Sequence, residues 1–131
     1  MTSTACVRDY MSRSLVTLAP DMKIHDAIEY LLEHEYSGAA VIDSAGNLVG
    51  MLSNKDCLRI AFGASYHQDW PGTVSEYMTS PVETVDADLD VVAAAELFVK
   101  GHYRRYPVLE SGVLVGQISR YDILRALRET W

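Results

Sequence analysis

Apolar residues recur along this chain with two different spacings, and the same succession of spacings occurs twice. Short apolar runs at Leu15 to Leu18 and at Val82 to Val85 predict strands. Behind each run, apolar residues follow at positions i, i+3, i+4, i+7 and i+8, the spacing of one helix face. The two stripes consist of Ile24, Ala27, Ile28, Leu31 and Leu32, and of Val91, Ala94, Ala95, Phe98 and Val99. Asp21 and Asp88 precede them as candidate helix caps, and each stripe is expected to face a core or an interface.

Each predicted helix is followed by a hairpin and a second helix. The segment AAVID pairs with LVGML around the turn SAGN, and PVLE pairs with VLVGQI around SG. Gly, Asn and Ser in short loops between apolar runs are typical of hairpin turns. The closing helices are predicted from Asn54 to about Phe62 and from Arg120 to about Leu127. The order of elements is therefore βαββα, written twice, which indicates a mixed α/β (α+β) fold.

The two halves are an internal duplication. A shift of 67 positions aligns Tyr36 with Tyr103, and after the loss of one residue in a turn a shift of 66 aligns the stretch from Gly50 with that from Gly116. A register of this length excludes chance.

The duplication predicts a first repeat at residues 1–62, a linker at 63–73 and a second repeat at 74–131. A short helical turn precedes each copy, and Thr73 with Glu76 is a candidate capping box for the second. Repeats of about 60 residues are marginally stable alone. We therefore expect the two repeats to pack on each other with pseudo-two-fold symmetry.

The composition narrows the classes of function. The 131 residues carry a net charge of −7, which disfavours a nucleic-acid polymer because binding to its phosphates needs clustered Lys and Arg. Cys6 and Cys57 form no CxxC pair and the four histidines are scattered, so neither a disulfide framework nor a metal site is predicted. No apolar run is long enough to span a membrane and no secretion signal is visible, so we expect no membrane partner and a cytoplasmic location.

The duplication keeps one stretch with candidate chemistry, GMLSNKD from Gly50 and GQISRYD from Gly116. In both, a serine lies where a strand passes into a helix and an aspartate follows three residues later: Ser53 with Asp56, and Ser119 with Asp122. A helix N-terminus offers free N–H groups to a phosphate, and a carboxylate accepts hydrogen bonds from a ribose diol. The glycine lets a backbone or a flat ligand approach closely.

These features fit a nucleotide, but they have a second interpretation. A serine cap with an aspartate in the first turn also stabilises a helix by about 1 kcal/mol with no ligand.

The chain resembles a tandem pair of cystathionine-β-synthase (CBS) domains. Both stretches match the motif G-h-h-[ST]-x-x-D of that family, and RRYPVLE matches its h-P-V-h-[DE] strand entry. The likeness covers about residues 5 to 128, without an appended catalytic or DNA-binding domain, as in the stand-alone (Bateman-type) pairs. The resemblance implies a regulatory module that senses energy or metabolite status and acts on a partner protein. The implied ligands are adenosine compounds (AMP, ADP, ATP, S-adenosylmethionine or a dinucleotide) bound in two clefts between the repeats. It also implies homodimers of pairs that form a flat disk.

In this family, which includes the gamma subunit of AMP-activated protein kinase, each cleft takes the serine and aspartate from one repeat. The first strand and the strand entry come from the other repeat. Carried over by resemblance, one cleft, named the basic cleft, comprises Met51, Ser53, Lys55, Asp56, Val82, Thr84, Arg104, Arg105 and Pro107. The other, named the second cleft, comprises Val16, Thr17, Ser37, Gly38, Ala39, Gln117, Ser119, Tyr121 and Asp122.

The two implied clefts differ in charge. Arg104, Arg105 and Lys55 supply cationic donors for phosphate oxygens. The corresponding segment of the second cleft has none, and Ala40 replaces the family's proline. We therefore expect tighter nucleotide binding in the basic cleft.

Two other classes of function can be compared with these sequence features. A structural dimerisation module without ligands is favoured if Ser53 and Ser119 only cap helices, and the apolar stripes offer a surface for a two-fold contact. An enzyme is not expected, because the sequence contains neither a GxSxG elbow nor a GxxxxGK[ST] loop. No catalytic cofactor is predicted.

Overall fold

The computed structural model describes residues 5–67 and 72–130. The chain divides into two compact units. One, named the continuous unit, is Val16–Val82. The other, named the discontinuous unit, joins Met1–Leu15 to Glu83–Trp131.

In chain order the elements are α1 (Val7–Tyr10), β1 (Thr17–Leu18), α2 (Ile24–Glu33), β2 (Gly38–Ile42), β3 (Leu48–Ser53), α3 (Asn54–His67), α4 (Val74–Tyr77), β4 (Val85–Asp86), α5 (Val91–Lys100), β5 (Arg105–Glu110), β6 (Val113–Ser119) and α6 (Arg120–Thr130).

Each unit contains one three-stranded sheet of the same design. Strand β1 is parallel to β2, which is antiparallel to β3; β4, β5 and β6 repeat this arrangement. The register shifts at equivalent points, between Val41 and Ile42 and between Val108 and Leu109. The βαββα order and the mixed α/β fold are confirmed.

The two hairpins close with different turns. In the shorter one, Ser111 and Gly112 have φ angles of 53° and 80°, the pair of positive values that a two-residue turn matching the strand twist requires. In the longer one, Asp43 Oδ1 accepts the N–H groups of Ala45 and Asn47 at 3.0 and 2.9 Å. The backbone hydrogen bond from Asn47 contributes most to lowering the pKa of Asp43.

The helical stripes are buried for most of their length. Ile24, Ala27, Ile28 and Leu31 of α2 lie in the core of the continuous unit, and Val91, Ala94 and Phe98 of α5 lie in that of the discontinuous unit. The last residue of each stripe is exposed, Leu32 by 69% and Val99 by 84%.

Several predicted boundaries were wrong. Helices α2 and α5 have Lys23 and Asp90 at their N-caps, neither with a side-chain capping hydrogen bond, so Asp21 and Asp88 are not the caps. Asp88 instead forms an ion pair with Arg8 at 2.7 Å.

The first strands are shorter than predicted, because β1 pairs with β2 at only Thr17 and Leu18 and β4 pairs with β5 at only Val85 and Asp86. Both closing helices run further than predicted. Helix α3 extends to His67 and so includes the first residues of the predicted linker, because a single glycine in a helix costs only about 1 kcal/mol. Residues 68–71 of that linker lie outside the described residues.

The short helices before the repeats are confirmed, and each belongs to the unit that contains the other repeat's sheet. Helix α4 precedes the second repeat, yet its Val74 N–H donates to the Met22 carbonyl oxygen at 2.9 Å. Helix α1 precedes the first repeat, yet its Val7 N–H donates to the Leu89 carbonyl oxygen at 2.8 Å. Both valines are fully buried. The sequence repeats and the compact units are therefore two different divisions of the chain.

The predicted capping box of α4 is only partly confirmed. Thr73 occupies the N-cap position, but its side chain makes no capping hydrogen bond. Its hydroxyl lies 3.0 Å from the Ser75 hydroxyl instead.

Candidate functional site

The first candidate site is the junction of β3 and α3, where Ser53 and Asp56 form a reciprocal cap. The Asp56 N–H donates to Ser53 Oγ at 3.2 Å, and the Ser53 N–H donates to Asp56 Oδ2 at 3.0 Å. The Ser53 hydroxyl also donates to Asp56 Oδ2 at 3.0 Å. Asp56 is the one buried charged residue among those that the structure describes, with 6% exposure. The capping hydrogen bonds expected of this pair are present, and they use one carboxylate oxygen.

The junction of β6 and α6 repeats this geometry. The Asp122 N–H donates to Ser119 Oγ at 3.1 Å, and the Ser119 N–H donates to Asp122 Oδ2 at 2.9 Å. The side chain of Asp122 is 16% exposed and that of Asp56 is 9% exposed. Both carboxylates therefore lie in the first turn of a helix and are mostly shielded from solvent. A negative charge at this end of a helix interacts favourably with the helix dipole and so stabilises the fold.

An arginine three residues further along contacts each aspartate. Arg125 Nη2 donates to Asp122 Oδ1 at 3.4 Å, and Arg59 Nη1 lies 3.7 Å from Asp56 Oδ1. These arginines were not predicted as site residues. Their signal was present, because Asp and Arg at i and i+3 face each other on a helix.

Arg125 has a second set of contacts, with α1. Its Nη2 donates to the Tyr10 carbonyl oxygen at 3.3 Å, and its guanidinium carbon lies 5.2 Å from the centre of the Tyr10 ring. The Tyr10 hydroxyl donates to Glu129 Oε1 at 2.8 Å, a hydrogen bond that raises the pKa of Tyr10. No sequence pattern indicated these contacts, because Tyr10 and Arg125 are 115 residues apart.

Other parts of the protein approach closely to the two glycines of the repeated stretch, Gly50 and Gly116. A Cβ built on Gly116 would lie 2.5 Å from the Ser12 carbonyl oxygen and 3.0 Å from Met11 Sδ. A Cβ on Gly50 would overlap the side chain of Met78, which is the counterpart of Met11 in the repeat. The close approach predicted at these positions is confirmed, and the approaching group is the segment that follows each short helix.

The strand entries lie beside the serine of the same repeat. Gly38 pairs with Ser53 in the β2–β3 register, and Arg105 pairs with Ser119 in the β5–β6 register. The Ser37 carbonyl oxygen accepts the N–H of Asn54, the first residue of α3, at 2.9 Å. The Arg104 carbonyl oxygen likewise accepts the N–H of Arg120, the first residue of α6, at 3.0 Å. Pro107 lies opposite Gln117.

The predicted cationic side chains lie on the surface of the protein. Arg104, Arg105 and Lys55 are exposed, and among the described residues none of the three forms an ion pair. By contrast, Arg8 is engaged by Asp88 and by Glu110 at 2.8 Å, contacts that raise its pKa.

The remaining predicted residues are placed as follows. The continuous unit holds Met51, whose backbone N–H and carbonyl both pair with Thr79, together with Lys55, Val16, Thr17, Ala39 and Val82. The discontinuous unit holds Thr84 just before β4 and the exposed Tyr121. Each predicted cleft combines residues of both units, so the composition of the clefts stays a prediction.

Other candidate chemistry is limited. Within residues 5–67 and 72–130, no group of three or more His, Cys, Asp or Glu is arranged to hold a metal ion. Both cysteines are free, and burial, followed by the charge of Asp56, raises the pKa of the Cys57 thiol. Across the same residues no helix has the length and apolar character needed to cross a membrane.

Comparison with known proteins identifies one family. The family model of the CBS domain matches residues 7–63 and 74–129. A curated relative, the A-adding tRNA nucleotidyltransferase of Aquifex aeolicus, is 32% identical over 94% of this chain, and the match covers 14% of that enzyme. The chain thus spans about one seventh of the length of this relative.

Solved structures agree with the sequence comparison. The structure of CBSX2 of Arabidopsis thaliana in complex with AMP has a TM-score of 0.82 and 29% identity, covering 95% of this chain and 97% of that one. The CBS domain pair of protein MJ0100 in complex with 5-methylthioadenosine and S-adenosyl-L-methionine has a TM-score of 0.77 and 25% identity, covering 98% and 100%.

Proposed function

Since the chain belongs to the CBS-domain family, we propose that it is a regulatory module that binds an adenosine compound and transmits its presence to a partner protein. Two similar CBS pairs carry AMP in one case and 5-methylthioadenosine with S-adenosyl-L-methionine in the other. These ligands share an adenosine group, which is therefore the chemical class proposed here. AMP, ADP and ATP are the candidates with phosphates, and S-adenosylmethionine is the candidate without. The ligand acts as a signal of energy or metabolite status, not as a catalytic cofactor.

One observation carries this proposal: the Ser and Asp pair is kept at both strand-to-helix junctions with the carboxylate oriented by hydrogen bonds. An oriented carboxylate is suited to a ribose diol because it accepts two hydrogen bonds from neighbouring hydroxyls without reorganising. In the continuous unit Asp56 Oδ1 accepts no hydrogen bond from the described residues, since Arg59 lies 3.7 Å away as an ion pair only.

The basic cleft is proposed as the tighter site. It would combine Asp56 and Lys55 with Arg104 and Arg105, whose exposed guanidinium groups form no ion pair among the described residues. Charge-assisted hydrogen bonds to phosphate oxygens are roughly twice as strong as neutral ones. Because the second cleft would have Ser37, Gly38 and Ala39 at the equivalent positions, it is expected to favour a nucleoside or a ligand without phosphate.

Titration calorimetry with AMP, ATP and S-adenosylmethionine tests the proposal. We expect saturable binding of at least one of the three, and a melting temperature that rises with its concentration, because a ligand that binds only the folded state stabilises it by mass action. Absence of heat and of any thermal shift with all three compounds would refute ligand binding.

Matched variants separate the two clefts. Asp56→Ala should abolish the tighter nucleotide binding event, whereas Asp122→Ala, which removes the equivalent cap, should leave that event in place. Exchange of Arg104 and Arg105 for Gln should weaken AMP by about tenfold or more and adenosine little, since each lost charged hydrogen bond is worth about 1.5 to 3 kcal/mol. Arg128→Gln, an exposed charge change on α6, serves as the control. Equal loss of AMP affinity in the control would contradict the assignment.

A second candidate function is a homodimerisation module without a ligand. Two observations favour it: both Ser and Asp pairs complete their caps unaided, and the closing helices expose large apolar side chains. Leu58 and Phe62 of α3 are 71% and 63% exposed, and Tyr121 and Leu124 of α6 are 73% and 62% exposed. Side chains spaced at i, i+3 and i, i+4 share a helix face, so each closing helix offers an apolar stripe to a two-fold partner.

Sedimentation velocity at micromolar concentration tests dimerisation. We expect a dimer that Leu58→Glu dissociates, because a carboxylate buried in an apolar contact is costly. Val113→Glu, which alters an apolar residue with 58% exposure on β6, is the matched control and should leave the dimer intact. A wild-type monomer would refute this candidate and leave the ligand-binding proposal to calorimetry.

A further inference from the structure

The Asp122 carboxylate is held from two sides, and the second holder is itself fixed by α1. Asp122 Oδ2 accepts the Ser119 N–H at 2.9 Å, and Oδ1 accepts Arg125 Nη2 at 3.4 Å. The same Nη2 donates to the Tyr10 carbonyl oxygen at 3.3 Å. The guanidinium therefore connects two groups, the Asp122 carboxylate in the first turn of α6 and the backbone carbonyl of Tyr10, the last residue of α1.

This arrangement leaves one acceptor position on each oxygen of Asp122. An ionised carboxylate offers about four lone-pair sites, two on each oxygen. At Asp122 one site of each oxygen is occupied by Ser119 or Arg125. Two neighbouring hydroxyls can then be accepted side by side, one on each oxygen, whereas at Asp56 both would be accepted by Oδ1.

Asp56 distributes its hydrogen bonds differently. Its Oδ2 accepts both the N–H and the hydroxyl of Ser53 at 3.0 Å, whereas Oδ1 has only the ion pair with Arg59 at 3.7 Å. Arg59 is 67% exposed and Arg125 is 36% exposed. Arg59 is thus a weakly held surface charge, since exposed ion pairs contribute little. The two sites are alike in sequence and unlike in the way that the carboxylate is oriented.

Tyr10 is the reason that Arg125 is better held. The guanidinium carbon lies 5.2 Å from the centre of the Tyr10 ring, within the range of a cation–π contact. The ring is in turn held by the Tyr10 hydroxyl, which donates to Glu129 Oε1 on α6 at 2.8 Å. The position of α1 therefore fixes the guanidinium, and the guanidinium fixes the carboxylate.

We propose that Arg125, oriented by Tyr10, is a positioning residue that sets the Asp122 carboxylate to receive a ribose diol in the second cleft. The inference rests on the proposed function, because it assigns a role toward the same adenosine ligand. It adds that diol binding in the second cleft depends on α1, because α1 orients Arg125.

Nucleosides that differ only in the diol test this role. Calorimetry compares adenosine with 2′,3′-dideoxyadenosine on the full chain carrying Asp56→Ala, in which the basic cleft is disabled. We expect adenosine to bind at least about tenfold more tightly, since hydrogen bonds to a charged group are worth more than neutral ones. Addition of Arg125→Ala should reduce that ratio to about threefold or less. Arg125→Lys should give an intermediate ratio, because lysine keeps the charge and loses the fork.

The Tyr10 variants make the test independent of a folding defect in Arg125→Ala. Tyr10→Phe retains the ring beneath the guanidinium but loses the hydrogen bond to Glu129, and should keep most of the adenosine preference. Tyr10→Leu removes the ring and should reduce the preference as Arg125→Ala does. Arg59→Ala is the matched control, because Arg59 has lost its aspartate partner in the Asp56→Ala chain, and it should leave the ratio unchanged. Far-UV circular dichroism establishes that each variant is folded.

The outcomes separate this inference from the function on which it rests. An unchanged ratio in folded Arg125→Ala and Tyr10→Leu proteins overturns the positioning role and leaves ligand binding intact. Loss of all adenosine binding in Asp56→Ala, with binding kept in the wild type, also overturns it, because the second cleft is then not a nucleoside site. A wild-type chain that binds neither adenosine nor AMP, ATP or S-adenosylmethionine removes the proposed function itself.

Discussion

Replacement of Gly116 by alanine is expected to displace the backbone at Ser12, in the segment that follows α1. The added methyl group would lie 2.5 Å from the Ser12 carbonyl oxygen, whereas a carbon and an oxygen in contact need about 3.3 to 3.6 Å. The backbone at Ser12 must therefore withdraw by roughly 1 Å. That movement breaks two backbone hydrogen bonds, Ser12 N–H to Gln117 O at 2.8 Å and Gln117 N–H to Ser12 O at 3.0 Å.

The expected cost follows from these contacts. Overpacking a close contact costs about 1 to 3 kcal/mol, and a backbone hydrogen bond contributes about 1 kcal/mol. The two describe one displacement, so we expect a loss of about 2 to 3 kcal/mol in the free energy of unfolding. Gly50→Ala should cost about 1 kcal/mol, because its new methyl group meets the side chain of Met78, which can rotate away.

Gly63→Ala supplies a control of opposite sign. Gly63 lies within α3, and a Cβ built on it has nothing within 4 Å, so the helix propensity of alanine should stabilise the protein by about 1 kcal/mol. Urea unfolding measures the three free energies, and hydrogen exchange measures protection of the Ser12 and Gln117 amides. The reasoning is refuted if Gly116→Ala is as stable as the wild type and both amides stay protected.

Three other predictions concern the core, the caps and the thiol. Val7→Ala and Val74→Ala each remove side-chain volume from a fully buried position, in a different unit in each case. Each should lower the free energy of urea unfolding by about 1 to 3 kcal/mol. Faster hydrogen exchange of amides in the unit that was not altered would contradict the two-unit division. Ser53→Ala and Ser119→Ala should each cost about 1 kcal/mol through the lost cap, and Ser53→Thr should recover most of it; equal stability of the alanine and wild-type proteins in thermal unfolding would count against the caps. Burial, and then the charge of Asp56, raise the pKa of the Cys57 thiol, so its thiolate forms at higher pH than that of a free cysteine. Alkylation of Cys57, monitored by mass spectrometry, should therefore begin at higher pH than alkylation of a free cysteine. In Asp56→Asn the pH at which alkylation begins should fall part of the way back.

The succession of elements could be predicted because each is specified by local spacing. The stripes from Ile24 and Val91 have helical periodicity, and the apolar runs beside SAGN and SG have strand character. Boundaries were less predictable. Residue type predicts Asp21 and Asp88 as N-caps, whereas the helices begin after Lys23 and Asp90. A cap is chosen by the backbone path into the helix, which a neighbouring polar residue does not reveal.

The sequence could not predict that α1 packs with the sheet of the second repeat and α4 with the sheet of the first. Val7 and Val74 are equivalent in the repeat, and both are fully buried, so either valine would satisfy either core. The choice between them depends on the path of the chain, not on the side chains. For the same reason Ser53, Asp56, Ser119 and Asp122 could be found from their local motif. The contact of Arg125 with Tyr10 could not, because it joins two distant parts of the chain.

The division of the chain has a consequence during protein synthesis. Residues 16–82 leave the ribosome as one uninterrupted stretch that holds every strand of its sheet. The residues before them emerge earlier, but Tyr10 can contact Arg125 only after a further 115 residues have been synthesised. At about 5 to 20 residues per second, α1 spends several seconds on the ribosome without its binding surface. The earlier part of the discontinuous unit is thus completed by its later part, and a nascent chain stalled between the two would expose Val7 and Met11 to chaperones.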